Sequence, residues 1–210
     1  MLKQLRNALV DQLPRSLIVR RGRRSVAAVA LTFDDGPFAE TPALLEALEK
    51  ADVRATFFVV GEQCAKFPAA VSAIARAGHE VASHGYSHTI FPELTGLELR
   101  RELASTAALI GPPTARRPLV RPPRGAVDAG SMLRTWAAGY RTALWTLDSD
   151  DCRSTDPRWI SSRAAAAGPG DVILLHEGQT WTIAAVPALV SELRARGLSL
   201  VTMSELVDQR

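Results

Sequence analysis

Cysteine is almost absent from this chain: Cys64 and Cys152 are the only two in 210 residues, and no Cys-x-x-Cys pair exists. That excludes a disulfide framework, and two isolated thiols suit a reducing compartment. Long apolar runs are missing as well. Nothing approaches the roughly 18 consecutive apolar residues of a membrane-crossing helix. Near the N-terminus the longest apolar stretch is broken by Asp11, Gln12, Pro14 and Arg15, with no small-residue cleavage site after it. A signal peptide is therefore not expected, and the chain reads as cytoplasmic. A broad basic surface is also lacking. The net charge is +3, and the excess sits at one end: Lys3, Arg6, Arg15, Arg20, Arg21, Arg23 and Arg24 face Asp11 alone. The rest of the chain is slightly acidic, whereas a nucleic-acid binder spreads its basic patch over the folded domain. Nucleic acid is excluded as a partner, and no protein partner is evident.

What remains is a chain with 47% hydrophobic and 22% charged residues, enough for one core and too apolar for disorder. We expect an N-terminal helix and basic linker over residues 1–24 and a single domain over 25–210. Leu2, Leu5, Leu9 and Leu13 recur at helical spacing, so residues 2–13 read as a short amphipathic helix. Its expected place is over the open bottom of the domain, followed by a solvated basic linker. Weak contact of this arm with an anionic membrane surface is the second reading.

From Val26 onward, strand and helix patterns alternate. Strands are expected at 26–33, 55–60, 80–83, 119–120, 140–147, 171–175 and 198–201. Helices are expected at 41–51 (with Thr41 as N-cap), 68–77, 96–110, 128–138, 157–167 and 181–196. Seven strands alternating with helices indicate a parallel α/β sheet, either doubly wound or closed into a barrel. Polar residues settle the choice. Asp34-Asp35, His84/His88, Arg121–Gly125, Asp148–Asp151 and His176 each follow a strand. Only a barrel brings five strand ends to one mouth, whereas an open sheet has a single crevice.

Two imidazoles four residues apart and an Asp-Asp pair, all at strand ends, can form a two-His, one-carboxylate set that leaves metal positions open. Alone, each is weak: a His-x-x-x-His in a loop is usually two surface histidines, and Asp-Asp-Gly-Pro is usually a turn. Their co-occurrence carries the reading. His79 is assigned a structural role, because it starts the strand that His84 ends.

Leu31-Thr32-Phe33-Asp34-Asp35-Gly36-Pro37 resembles the opening motif of the polysaccharide deacetylases, the fourth carbohydrate esterase family, with its NodB homology domain. His84–His88, Arg121-Pro122-Pro123-Arg124-Gly125, Asp148–Asp151 and Leu174-Leu175-His176 resemble the four motifs that follow, in the family's order. The resemblance implies a distorted (β/α)7 barrel of the glycoside hydrolase/deacetylase type and metal-dependent removal of an N-acetyl group from an amino sugar. It further implies that Asp35, His84 and His88 bind a divalent metal, most often Zn2+, with Co2+ or Ni2+ as alternatives. Asp34 would be the general base, held by Arg121. The Arg124 backbone N–H would help stabilise the oxyanion, and Leu174 and Leu175 would wall the acetyl pocket. His176 would be the general acid, its pKa tuned by Asp151, with Asp148 as the second candidate for that role.

The chain departs from the pattern at Gly85, Arg124, Cys152 and Glu177, where the family favours Ser or Thr, Tyr, Trp and Asp. Ser83 or Ser87 is expected to stand in for the missing hydroxyl, and Trp145 or Trp181 for a sugar-facing aromatic. The rival readings are an O-acetyl esterase on acetylated glycan and a catalytically inactive carbohydrate-binding relative. The second is disfavoured, because no implied catalytic group is missing.

Overall fold

The computed structural model describes residues 10–111 and 117–208. Its strands are β1 (Ile18–Val19), β2 (Ala28–Asp34), β3 (Thr56–Val59), β4 (Glu80–Ser83), β5 (Leu119–Val120), β6 (Arg141–Ala143), β7 (Leu147–Asp148), β8 (Val172–His176) and β9 (Ser199–Val201). The helices are α1 (Thr41–Lys50), α2 (Gly61–Lys66), α3 (Pro68–Arg76), α4 (Gly96–Ile110), α5 (Ala129–Ala137), α6 (Pro157–Ala165), α7 (Thr180–Ala195) and α8 (Met203–Asp208). The strands pair in parallel in the order β1-β6-β5-β4-β3-β2-β8-β7, and β9 joins the first half of β2. The result is the expected distorted α/β barrel.

Alternation along β2 shows how the sequence builds it. Val29, Leu31 and Phe33 enter the apolar layer beneath the helices, with Phe57, Ile173 and Leu175. Ala28 and Ala30 face the other way, into a cluster with Phe58, Ala82, Val172 and Met203. Successive side chains of a strand point to opposite faces, so Thr32 and Asp34 continue the inward face above the two alanines. Small residues at the inner positions leave room there for α8, whose Met203, Leu206 and Val207 join the same cluster.

Several expectations need correction. The strand expected at 140–147 is two strands. The amide of Leu144 bonds Val19 and that of Thr146 bonds Val172, so the chain changes partners between β6 and β7 and links the two ends of the sheet order. Pairing is set by neighbours distant in sequence, which an apolar run does not reveal. Thr41 does not cap α1. Glu40 holds that position, while the Thr41 hydroxyl donates to Glu177 at 2.6 Å. Helices α2 and α8 were not anticipated, each being only six residues long.

The N-terminal reading lies partly outside the described residues, which include only 10–13 of the expected 2–13 helix; Val10–Gln12 are helical. The basic segment that follows is not a loose linker. Ile18 and Val19 pair with Thr142 and Ala143, the Gly22 amide bonds the Gly170 carbonyl at 2.8 Å, and Arg20 and Arg21 pair with Asp11 and Asp171. Residues 18–22 thus belong to the barrel, and a boundary at residue 24 cuts through it. No helix among the described residues is long and apolar enough to cross a membrane.

Ile18 and Val19 are 2% and 3% exposed, and burying such side chains contributes about 1.5–3 kcal/mol each. A chain starting at residue 25 is therefore expected to lose about 3 kcal/mol or more of stability in denaturant unfolding. Equal midpoints for the two chains would show that β1 is dispensable.

Candidate active site

Asp34 ends β2, opposite His176 of β8 in the ladder. It is 3% exposed, and its Oδ1 accepts from Arg121 Nη1 at 2.6 Å. The same nitrogen donates to Thr32 Oγ1 at 2.8 Å. Arg121 is fully buried, its guanidinium 4.0 Å from the Phe58 ring centroid, and its Nε has no hydrogen-bond partner. A guanidinium removed from water needs its counter-charge: removing one partner of such a pair costs about 3–5 kcal/mol. The sequence placed Arg121 correctly. Thr32, inside the first motif, was missed as the second acceptor.

Arg121 also acts through its main chain. Its carbonyl accepts from His84 Nδ1 at 2.7 Å. A carbonyl cannot donate, so Nδ1 carries a proton, and Nε2 is the ring nitrogen left to serve as a ligand. That Nε2 lies 3.4 Å from Asp35 Oδ1 and 3.8 Å from Asp34 Oδ2. His88 Nε2 lies 3.2 Å from the same Asp35 oxygen. Asp35, Gly85 and His88 all take positive φ, at 78°, 83° and 60°. Asp and His tolerate that region better than most residues and Gly occupies it freely. The tight bends bring three donor atoms within 4.8 Å of one another. One carboxylate oxygen and two imidazole nitrogens, one ring oriented by a carbonyl, fit a divalent ion such as zinc. Burial opposes the charge on Asp35, but the contacts with His84 and His88 outweigh it and hold the carboxyl far below the usual carboxylate range.

His176 is anchored on the opposite neighbour of β2. Its Nδ1 donates to Asp151 Oδ1 at 2.7 Å. The other oxygen of this fully buried carboxylate accepts from the His176 amide and from Thr182 Oγ1, both at 2.8 Å. Burial disfavours the imidazolium, but the hydrogen bond to Asp151, a contact with Cys152 and the charges of Asp151 and Asp34 outweigh it, raising the pKa to about 11. Asp148 is not part of this arrangement: its side chain accepts from the Asp150 amide at 2.9 Å. Thr182 gave no signal in the sequence, because it lies in a helix with no motif around it.

The two leucines separate. Leu174 shares the inward face of β8 with His176. Leu175, one residue on, packs into the layer under the helices with Phe33 and Phe57. The expectation that Leu175 walls the site is overturned by this alternation. Arg124 is exposed at φ 57°, in the 3-10 turn Pro123–Gly125 that follows β5. Gly125 is needed there, since a Cβ would lie 2.6 Å from the Trp145 ring. Trp145 is half-buried against that turn, and Trp181 donates its Nε1 to the Asp151 carbonyl at 2.9 Å. Behind the first motif, a Cβ on Gly36 would overlap the carboxyl of Glu177, which burial raises to about 7. His79 has the structural role expected: its Nδ1 accepts from the Ala55 amide at 3.1 Å, and burial lowers it to about 4.

A raised imidazole pKa contributes stability that is complete below the unfolded value of about 6.5 and fades as pH rises through the folded value. For His176 the contribution declines progressively above about pH 6.5 and is gone by about pH 11. NMR titration is expected to find His176 protonated throughout the neutral range, and Asp151→Asn to bring its pKa down towards about 6.5. A wild-type His176 titrating near that value would remove Asp151 from its role.

The sequence model of polysaccharide deacetylases matches residues 21–143. A peptidoglycan-N-acetylglucosamine deacetylase of Bacillus cereus is 30% identical over 192 residues, covering 88% of this chain and 70% of that relative. The peptidoglycan-N-acetylmuramic acid deacetylase PdaC of Bacillus subtilis is 31% identical over 211 residues, covering 97% of this chain and 44% of that protein. The chain thus spans less than half the length of the second relative. Among solved structures, a peptidoglycan N-acetylglucosamine deacetylase in complex with 4-naphthalen-1-yl-N-oxidanyl-benzamide superposes with a TM-score of 0.85 at 28% identity. The match covers 92% of this chain and 94% of that one. With the family model covering more than half of its length, this chain belongs to the polysaccharide deacetylase family.

Proposed function

We propose that the chain hydrolyses the N-acetyl group of an N-acetylated amino sugar in a glycan, releasing acetate and a free amine. The observation that carries this reading is the placement of a base and an acid around one ligand set. Asp34 and His176 are cross-strand partners, and Asp35, His84 and His88 cluster immediately beside Asp34. A divalent ion held by those three residues, Zn2+ by the donor types, would acidify a water and polarise the acetyl carbonyl.

The chain's own groups supply the rest. Asp34, fixed through Oδ1 by Arg121, keeps Oδ2 on the His84 side, where it would take the proton of the attacking water. The amide N–H of Arg124 would donate to the developing oxyanion, a contribution of about 3 kcal/mol for such a donor. His176, protonated at neutral pH, would pass a proton to the departing nitrogen, which leaves poorly as an anion. Asp151 keeps the ring oriented for this. Leu174 would contact the acetyl methyl. The named activities of the Bacillus relatives support a peptidoglycan-type N-acetylglucosamine or N-acetylmuramic acid as the sugar.

Acetate release from N-acetylglucosamine oligomers, from peptidoglycan and from acetylxylan, each with and without chelator, tests the reaction and separates amide from ester cleavage. Release from the amino-sugar substrates that chelator abolishes is expected; release from acetylxylan alone would replace the proposal by an esterase. Asp35→Ala or His88→Ala is expected to remove both bound metal and turnover. Asp34→Asn is expected to keep the metal and lose about 10²–10⁴-fold in turnover, the usual contribution of a general base. Undiminished turnover in Asp34→Asn would overturn the mechanism.

A further inference from the structure

The loop between the two histidine ligands has an anchor outside all five motifs. Glu102 lies in α4, half-buried beside the loop. Its Oε2 accepts from the amides of Tyr86 at 2.6 Å and Ser87 at 2.9 Å, and its Oε1 accepts from Ser87 Oγ at 2.9 Å. One carboxylate thus satisfies two consecutive main-chain donors that have no strand or helix to pair with. From the other side, the amides of Gly61 and Glu62 bond the carbonyls of Gly85 and Tyr86 at 3.0 and 2.9 Å. The loop is clamped between α2 and α4.

The clamp is itself rigid. A capping box between Thr95 and Glu98 starts α4, and Leu99 and Leu103, which flank Glu102 on the helix, are 0% and 1% exposed. The contact is close as well. A Cβ on Gly85 would sit 3.4 Å from Glu102 Oε2 and 3.4 Å from the Phe91 ring. The carboxylate is packed against the bend that joins His84 to the rest of the loop. Ser83 adds a weaker brace, accepting from the Gly85 amide at 3.2 Å.

We propose that Glu102 is a positioning residue for the metal site. By holding the Tyr86–Ser87 peptide it sets the separation of His84 and His88, and so the affinity for the ion. This rests on the reading of Asp35, His84 and His88 as metal ligands. The function is one of shape rather than charge. A glutamine can present its carbonyl oxygen to both amides and donate its NH2 to Ser87 Oγ, whereas an aspartate keeps the charge but is one methylene too short.

The test is Zn2+ affinity of the full chain, stripped of metal and titrated in competition with a fluorescent chelator. Groups that orient metal ligands contribute about 10–100-fold to affinity, so Glu102→Asp and Glu102→Ala are expected to weaken Zn2+ binding by that factor, with Glu102→Gln within about threefold of wild type. If Glu102→Ala does not fold, the Asp and Gln variants carry the comparison alone. Wild-type affinity in Glu102→Asp, or an equal loss in Glu102→Gln and Glu102→Asp, would overturn the assignment. A wild-type chain that binds no Zn2+ would instead overturn the metal reading beneath it.

Discussion

Arg121 is the residue around which the mouth of this barrel is organised. Its guanidinium is fully buried and depends on Asp34 for its counter-charge. Its carbonyl fixes the ring of His84. One residue therefore sets both the orientation of the proposed base and the tautomer of a proposed ligand. The guanidinium has little freedom to compensate for an error: it is packed over Phe58, next to Met203, with Trp145 further off. Low-dielectric surroundings make the pair with Asp34 strong and its loss costly.

That arrangement requires space inside the barrel. Ala28, Ala30 and Ala82 line the interior, and their small side chains leave a volume that α8 enters from below. The terminal helix thus supports the floor on which Arg121 rests, which connects packing far from the mouth to chemistry at it. The proposed acid is held differently. His176 is bonded to Asp151, which Thr182 of α7 also grips. Asp34, braced by Arg121, is the cross-strand partner of His176, which Asp151 braces, in the β2–β8 ladder. The ladder keeps the two halves in register without a direct bond between their side chains.

Most of the candidate site was legible because its residues sit at strand ends with distinctive neighbours. Asp34, Asp35, His84, His88, Arg121, Asp151 and His176 converge as their motifs implied. What escaped was whatever acts from a regular helix: Thr182 and Glu102 stand in segments whose pattern announces only an amphipathic helix. Leu175 was misread for the opposite reason. A motif names consecutive residues, but a strand sends alternate ones to opposite faces. Arg20 and Arg21 read as solvated charge, because their partners Asp11 and Asp171 cannot be identified from a run of arginines.

The sequence by itself determined the alternation of strands and helices, the parallel sheet and which groups make up the candidate site. These depend on local periodicity and on short motifs, which a linear reading contains. Only the tertiary structure decided where β6 gives way to β7, that residues 18–22 complete the sheet, and that a glutamate on α4 clamps the loop between two histidines. Each of these depends on which distant backbone donors find which acceptors, and that pairing exists only once the chain has closed on itself.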